Sequence, residues 1–214
     1  MMNLLTIPCG PLATNTYILW NDGSTEAIVV DPANSHRALN ALHEHGLHCC
    51  AILITHCHFD HTMGAAELKK RENAKLYINR IEAPSLTDGS MSLSHMGGVL
   101  INGCKADVLL DDGDRFSEAG FDFHVLHTPG HSPGSSCFVL EKERMIFAGD
   151  TIFRLSVGRT DLDGGDARAL YGSIVRKLFT LEGDYRVLPG HDRETTLEFE
   201  RRHNPFIRNG GVEF

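Results

Sequence analysis

The sequence predicts an α/β fold in which two β-sheets pack face to face and helices cover their outer surfaces. Three observations carry that prediction. Each half of the chain runs a series of short strand-like segments and then a helix-like segment that must cover a sheet. The 214 residues, with 42% hydrophobic and 22% charged side chains, suit one ordinary globular domain with a buried core. Neither a linker nor a short fixed repeat divides the chain, so a single domain is expected over residues 1–214.

Along the chain, Leu4–Ile7, Asn15–Trp20 and Glu26–Asp31 carry strand signals, and Pro32 ends the third. Ser35 is read as the cap of a helix to about His45, with Ala38, Leu39 and Leu42 at helical spacing and Gly46 closing it. Cys49–Ile54 is an apolar strand that leads straight into Thr55–His61. A second helix over about Thr62–Arg71 and a strand over Lys75–Ile78 come next. From Leu86 to Asp107 the chain is rich in Ser, Gly and Met without a period, which predicts a long loop of the functional kind. Strands resume at Val108–Leu110, Arg115–Phe116, Phe121–His127, Ser136–Leu140 and Met145–Ala148, with Asp111–Asp114 supplying a turn between the first two. A helix over about Asp166–Phe179, a strand over Tyr185–Leu188 and a helical tail from Glu194 to Pro205 complete the reading.

Charge and composition exclude several roles. Acidic side chains outnumber basic ones 28 to 20, for a formal charge of −8, whereas a protein that grips nucleic acid needs a basic surface. No apolar run approaches the roughly 18 residues of a membrane span. Met1–Trp20 has no basic leader and is interrupted by Pro8, Gly10 and Pro11, so no signal peptide is expected. The six cysteines form no CxxC pair and read as reduced thiols of a cytoplasmic protein.

The thirteen histidines are the anomaly, because several stand beside carboxylates. Thr55-His56-Cys57-His58-Phe59-Asp60-His61 follows a buried strand and precedes a helix. Imidazole and carboxylate are the ligands that zinc, iron and manganese accept near neutral pH. Alternate residues of an extended segment share a face, so His56 and His58 can grip one ion while Asp60 and His61 turn toward another. Cys57 then faces away and reads as a packed thiol. His131, Asp150 and His191 share one context: a ligand-type residue just past a strand, beside glycine.

This combination, HxHxDH followed by His131, Asp150 and His191 in strand-end loops, resembles the metallo-β-lactamase superfamily. The likeness runs from the strand ending at Asp31 to His191. The strings TPGHSPGS and GDTIFRLSVGRTD are similar to the glyoxalase II (hydroxyacylglutathione hydrolase) branch and its single-domain bacterial relatives. The resemblance implies an αββα four-layer sandwich with the metal site at one edge of the sheets. It implies a first metal on His56, His58 and His131, a second on Asp60, His61 and His191, and Asp150 bridging them. Asp60 and Asp150 become the carboxylates of the reacting centre, and Asp31 a support behind the ligands. Aspartate at 150 speaks against antibiotic-hydrolysing members with a cysteine ligand, and His58 stands where oxygen-reducing diiron members carry glutamate.

Two divalent ions about 3.5–4 Å apart share a water and lower its pKa, while one polarises a carbonyl. Such a site hydrolyses esters, lactones, phosphodiesters and especially thioesters, whose thiolate (thiol pKa about 8.5) leaves without a strong acid. No serine nucleophile is expected. The reading is therefore a hydrolase with two divalent ions, zinc before iron or manganese, acting on a small anionic thioester of the hydroxyacylglutathione type. Arg159 either forks onto a substrate carboxylate or pairs with Asp161 or Asp163. Asp192 is either a support of His191 or an exposed side chain. His124 and His127 are read as strand residues, and His36, His43, His45 and His48 as surface. Only 23 residues follow His191, so no separate C-terminal helical domain, which supplies much of the glutathione pocket in full-length glyoxalase II, is expected. Persulfide dioxygenase, a related branch with one mononuclear iron, is the alternative, since the THCH and GRTD strings suit it too. A metal-stabilised binding module is the non-enzymatic reading, and a nuclease is disfavoured by the acidic charge.

Overall fold

In the computed structural model, which describes residues 1–98 and 103–208, the strands sort into two six-stranded sheets and one small ribbon. The first sheet runs in sequence order: β1 (Met2–Cys9), β2 (Thr14–Asn21), β3 (Glu26–Val30), β4 (His48–Ile54), β5 (Lys75–Asn79) and β6 (Val108–Leu110). Its first three strands are antiparallel, and β3 to β6 are parallel. The second half supplies β7 (Arg115–Glu118), β8 (Phe121–His127), β9 (Ser136–Leu140), β10 (Met145–Gly149), β11 (Ile152–Phe153), β12 (Ser156–Val157), β13 (Arg186–Pro189) and β14 (Thr195–Thr196). The second sheet has the order β14-β13-β10-β9-β8-β7, and β11 pairs with β12 alone.

The central strands read as unbroken apolar runs because both of their faces are covered. Ile28 and Val30 of β3 point into the layer between the sheets, where Leu19, Leu53 and Tyr77 meet Phe123, Phe138, Phe147 and Leu188. Val29, between them, faces outward with Ile52 and Leu76 against Ala38 and Leu42 of α1 (Ser35–Glu44) and Leu68 beyond it. On the far side Val139, Ile146 and Val187 are covered by Leu170, Ile174, Leu178 and Leu197. Each fully buried Leu, Ile or Phe contributes roughly 1.5–3 kcal/mol relative to exposure. The layers are helix, sheet, sheet, helix, as expected from the sequence.

Several elements depart from expectation in ways the local chemistry explains. The cap of α1 is Asn34, whose side chain accepts from Arg37 N; Ser35 is already the first helical residue. The helix expected over Thr62–Arg71 is two: α2 (Phe59–Thr62) and α3 (Ala65–Glu72), parted where Gly64 N donates to Pro32 O at 2.8 Å. The expected long loop holds α4 (Ser85–Asp88) and α5 (Ser94–Gly97), while its residues 99–102 lie outside the described residues. The Asp166–Phe179 helix begins one residue later as α6 (Ala167–Ser173), capped by the Asp166 side chain, and ends in a π-helical turn, Ile174–Leu178. The tail is a short strand, β14, then α7 (Leu197–His203) and α8 (Pro205–Arg208). Among the described residues no helix is long and apolar enough to cross a membrane.

Strand direction decides which loops can meet. β3 and β4 are parallel, so Asp31 and Thr55 emerge at the same end of the first sheet. In the second sheet β8, β10 and β13 run in one direction, so their exits at residues 128, 150 and 190 also share an end.

Candidate metal centre

The residues singled out by the sequence converge where these strand ends meet. His56 and His58 lie on the short connection from β4 to α2, and Asp60 and His61 on α2 itself. His131, Asp150 and His191 come from the loops after β8, β10 and β13. His56, His58, Asp60, His61 and His131 are buried, and Asp150 is only 9% exposed. The donor atoms fall into three groups, each within 4.8 Å: His56, His58 and His131; Asp60, His61 and His191; and His56, His61 and Asp150.

The first group brings His58 Nδ1 to 3.1 Å from His56 Nε2 and 2.9 Å from His131 Nε2. In the second, Asp60 Oδ2 lies 3.4 Å from His61 Nε2 and 3.2 Å from His191 Nε2. Asp150 stands between them, with Oδ1 3.4 Å from His61 Nε2 and Oδ2 3.4 Å from His131 Nε2 and 3.5 Å from His191 Nε2. Gly190 permits this, because a Cβ there would come 2.1 Å from Asp150 Oδ1 and 2.6 Å from His61 Cε1.

The outer hydrogen bonds fix which nitrogen faces inward. His131 Nδ1 lies 2.8 Å from Arg159 O and His191 Nδ1 3.2 Å from Leu12 O; carbonyls only accept, so each Nδ1 carries the proton. His61 Nδ1 donates to Asp31 Oδ2 at 2.9 Å. Thr55 gives its one hydroxyl proton to Asp31 Oδ2 at 2.7 Å, so its oxygen, 3.1 Å from His56 Nδ1, accepts from that ring. His56 and His131 therefore turn bare Nε2 atoms toward His58, whose single Nδ1 could supply a proton to only one of them. Deeper in, His61 Nε2 and Asp150 Oδ1 are buried and make no hydrogen bond.

This donor set suits divalent cations. A tetrahedron with bonds of about 2.0–2.1 Å has edges of about 3.3–3.4 Å, which matches the 3.2–3.5 Å spacings around Asp60 and Asp150. The imidazole trio is a few tenths of an ångström tighter. Converging lone pairs and orphaned buried polar atoms cost free energy unless something positive sits among them.

Without a cation the two halves carry protons differently. Burial, then the neighbouring His61, His58 and His131, drives His56 well below the usual histidine range. Burial with His131 and His61 lowers His58 to about 3. Burial also opposes charge on His61, but Asp60, Asp150 and Asp31 outweigh it and hold that ring well above its usual range. His191, likewise opposed by burial, is raised to about 9 by hydrogen bonds with Asp150 and Asp60. Burial disfavours ionised Asp60, yet His61, His191 and Thr14 bring it down to about 2, and His61 and His191 similarly hold Asp150 low.

The centre floors a cleft of about 630 Å³. Its walls are largely apolar: Leu12, Phe59, Leu93, Met96, Phe153 and Leu162. Arg159 lines the rim, but its guanidinium is already forked onto Asp161 through two 2.7 Å bonds. Asp192 is exposed, in a left-handed conformation at φ 61°, and its carbonyl accepts from Asn15 Nδ2. Cys57 is buried in the outer core of the first sheet, its Sγ donating to Met91 O. The expectation of no serine nucleophile overlooked a G-x-S-x-G string, which Gly130-His131-Ser132-Pro133-Gly134 does spell. Ser132 is fully buried and donates to Glu82 at 2.7 Å, unlike the exposed serine of a strand-to-helix nucleophile turn.

Several contributors escaped the sequence reading. Thr14 Oγ1 donates to Asp60 Oδ2 at 2.8 Å, and Asn15 and Tyr17 hold Pro189 O, just before His191. Their signal was a polar run, Thr14-Asn15-Thr16-Tyr17, opening an otherwise apolar strand, all of it buried. Glu82, fully buried, accepts from Cys57 N, Ser132 Oγ and Gly134 N.

Comparison with known proteins identifies the family and the fold. The metallo-beta-lactamase superfamily model matches residues 9–191. The chain is 30% identical to hydroxyacylglutathione hydrolase GloC of Haemophilus influenzae, over 97% of this chain and 99% of that one. It is 34% identical to the human mitochondrial persulfide dioxygenase ETHE1, over 94% of this chain and 74% of that one. Among solved structures, BLEG-1 B3 metallo-beta-lactamase superposes with TM-score 0.91 at 38% identity, covering 96% of this chain and 99% of the other. TTHA1623 in a di-iron-bound form gives 0.82 at 37% identity, with 94% and 99% covered.

Proposed function

The chain belongs to the metallo-beta-lactamase superfamily, and from that premise we propose that it is a two-metal hydrolase acting on small thioesters of the hydroxyacylglutathione type. One observation carries the reading: seven imidazole and carboxylate donors from both sheets converge at the floor of an open cleft. His56, His58 and His131 would hold one ion, Asp60, His61 and His191 the second, and Asp150 would face both. When bound, the ions supply a water acidic enough to attack near neutral pH and a Lewis acid for the carbonyl; zinc is the first choice, with iron or manganese as alternatives.

The chain's own residues do the rest. Asp60 and Asp150, both held ionised, would orient the attacking water, whose proton would pass to solvent. Phe59, Leu93, Met96 and Phe153 pack around the acyl and thiol chains and keep bulk water from the carbonyl. The thiolate departs without a protein acid. Arg159, once it swings from Asp161, anchors a substrate carboxylate at the rim.

The test is S-lactoylglutathione hydrolysis by protein purified without chelator, with metal content measured in the same sample. About two metals per chain and turnover that needs no oxygen support the reading. A second reading is favoured by the likeness to ETHE1 at a similar identity: oxygen-dependent consumption of glutathione persulfide, with one iron and untouched thioesters, would establish it instead.

A further inference from the structure

We propose that Glu82 is a positioning residue for the three-imidazole group, bolting the loop that carries His56 and His58 to the loop that carries His131. The proposal rests on the reading that this group holds a metal. Glu82 lies three residues past β5 of the first sheet, and its side chain is completely buried. Its Oε2 accepts from the backbone N–H of Cys57, between His56 and His58, at 2.9 Å. Its Oε1 accepts from Ser132 Oγ, next to His131, and from Gly134 N, each at 2.7 Å. One carboxylate thus ties together two loops that leave different sheets. A carboxylate is costly to bury, and accepting several protein donors is what sustains it.

Two further features are built around this clamp. A Cβ at Gly134 would lie 2.5 Å from Glu82 Cγ and 3.1 Å from Oε1, so the glycine of Ser132-Pro133-Gly134-Ser135 makes room for the carboxylate. Ser132 gives its proton to Glu82, so Ser135 Oγ, 2.6 Å away, donates to Ser132 and extends the chain of bonds. The other metal group has different supports: Thr14 for Asp60, Asp31 for His61 and Leu12 O for His191. Disturbing Glu82 should therefore act on one group and spare the other.

Glu82→Gln keeps the shape but sets an NH₂ against a buried donor, so at least one of the three bonds is lost. The experiment titrates zinc into chelator-stripped protein against a chromophoric competitor, with melting temperature measured alongside. Glu82→Gln should weaken one of two zinc equivalents by about tenfold or more, as supporting residues of metal ligands do, and leave the other unchanged. In a His191→Ala background, where the imidazole trio binds alone, the same weakening should persist. Glu200→Gln is the control: Glu200 is equally buried, accepts from Thr195 Oγ1, Leu155 N and Asn204 Nδ2, and should leave both equivalents intact even if stability falls. If Glu82→Gln does not fold, Ser132→Ala removes one donor and should weaken the same equivalent by less. Wild-type affinity for both equivalents in Glu82→Gln or, failing that, in Ser132→Ala overturns the proposal. An equal zinc loss in Glu200→Gln overturns it too. A wild-type chain that takes up no zinc overturns the metal reading, and this proposal with it.

Discussion

Asp31→Asn should damage both metal groups at once, although Asp31 is expected to touch neither ion. The carboxylate is buried at the end of β3, where the chain adopts a left-handed turn at φ 49°. It accepts from Thr55 N at 2.8 Å, Thr55 Oγ1 at 2.7 Å and His61 Nδ1 at 2.9 Å. The last two converge on Oδ2, so an amide nitrogen there meets two donors, and an amide oxygen there leaves its nitrogen facing Thr55 N. In the first orientation His61 loses its acceptor and can move its proton to Nε2, the atom needed for the second metal. Thr55, freed of its acceptor, can donate to His56 Nδ1 and force that ring's proton onto Nε2, the atom needed for the first. Loss of a charge-assisted hydrogen bond is worth about 1.5–3 kcal/mol, and about 1.4 kcal/mol is tenfold in affinity. The expected outcome is a loss of about 10- to 100-fold for each zinc equivalent, measured by competition with a chelator. Wild-type affinity for both ions in a folded Asp31→Asn protein would refute the tautomer argument.

The same geometry sets other expectations. In chelator-stripped protein, His191 is raised to about 9 from a usual value near 6.5. Its pairing stabilises fully below about 6.5 and is lost as pH rises to about 9, so melts should show stability falling across that window. Asp60, brought down to about 2, contributes stability above its usual value near 3.9 that disappears as pH falls toward 2. Because His56 and His58 are already deprotonated while His61 and His191 hold protons, the first zinc equivalent should bind with little proton release near pH 7. The second should release protons and tighten with pH up to about 9, as calorimetry in buffers of different ionisation heat would detect. Asp150→Ala should lower both metal occupancy and turnover, read by elemental analysis beside the assay; full retention of both would make Asp150 a bystander. Arg159→Ala should keep its metals, since only the backbone carbonyl of Arg159 supports His131, and should raise KM for anionic thioesters with little change in kcat. Asp161→Ala, which frees the guanidinium, should lower that KM; no change in either variant would remove Arg159 from substrate binding.

What could be read from the sequence depended on whether a role belongs to a side chain of distinctive type in a contiguous context. His56 to His61 announced themselves because four donor residues crowd one strand exit. His131, Asp150 and His191 were legible because each follows an apolar strand beside glycine. Thr14 was not, because a threonine 46 residues from its partner Asp60 looks like any other polar strand residue. Glu82 was missed for the same reason, being a lone acid whose three donors are backbone or serine groups of other loops. The support of His131 by Arg159 O is invisible in principle, since any residue supplies that carbonyl. Asn34 and Ser35 are both good caps, and the three-dimensional entry of the chain chose between them. The ribbon of β11 and β12 has two residues per strand, too few to show a period.

The same contrast separates the chemistry of this protein from its choice of substrate. The donor set depends on rigid strand exits and buried partners, which leave a strong mark on the sequence. The cleft walls come from elsewhere: Leu12 from the β1–β2 turn, Leu93 and Met96 from the segment around α5, and Phe153 and Val157 from the β11–β12 ribbon. Their side chains lie on surface connections and can change without disturbing the candidate ligands, while the backbone of the β1–β2 turn is tied to the site by the Leu12 carbonyl that holds His191. The ribbon is itself pinned from behind, where Glu200 accepts from Leu155 N and Asn204 Nδ2 donates to Ser156 O. A wall of that kind can be reshaped while the donor set stays fixed, since function lives in sites grafted on a fold, and relatives of similar identity carry the names of a hydroxyacylglutathione hydrolase and a persulfide dioxygenase. Among the proposed thioesters, the apolar walls and a rim cation already engaged by Asp161 should favour those held more by their acyl and thiol chains than by their charge. Selectivity should therefore move with Met96 and Phe153 before it moves with Arg159.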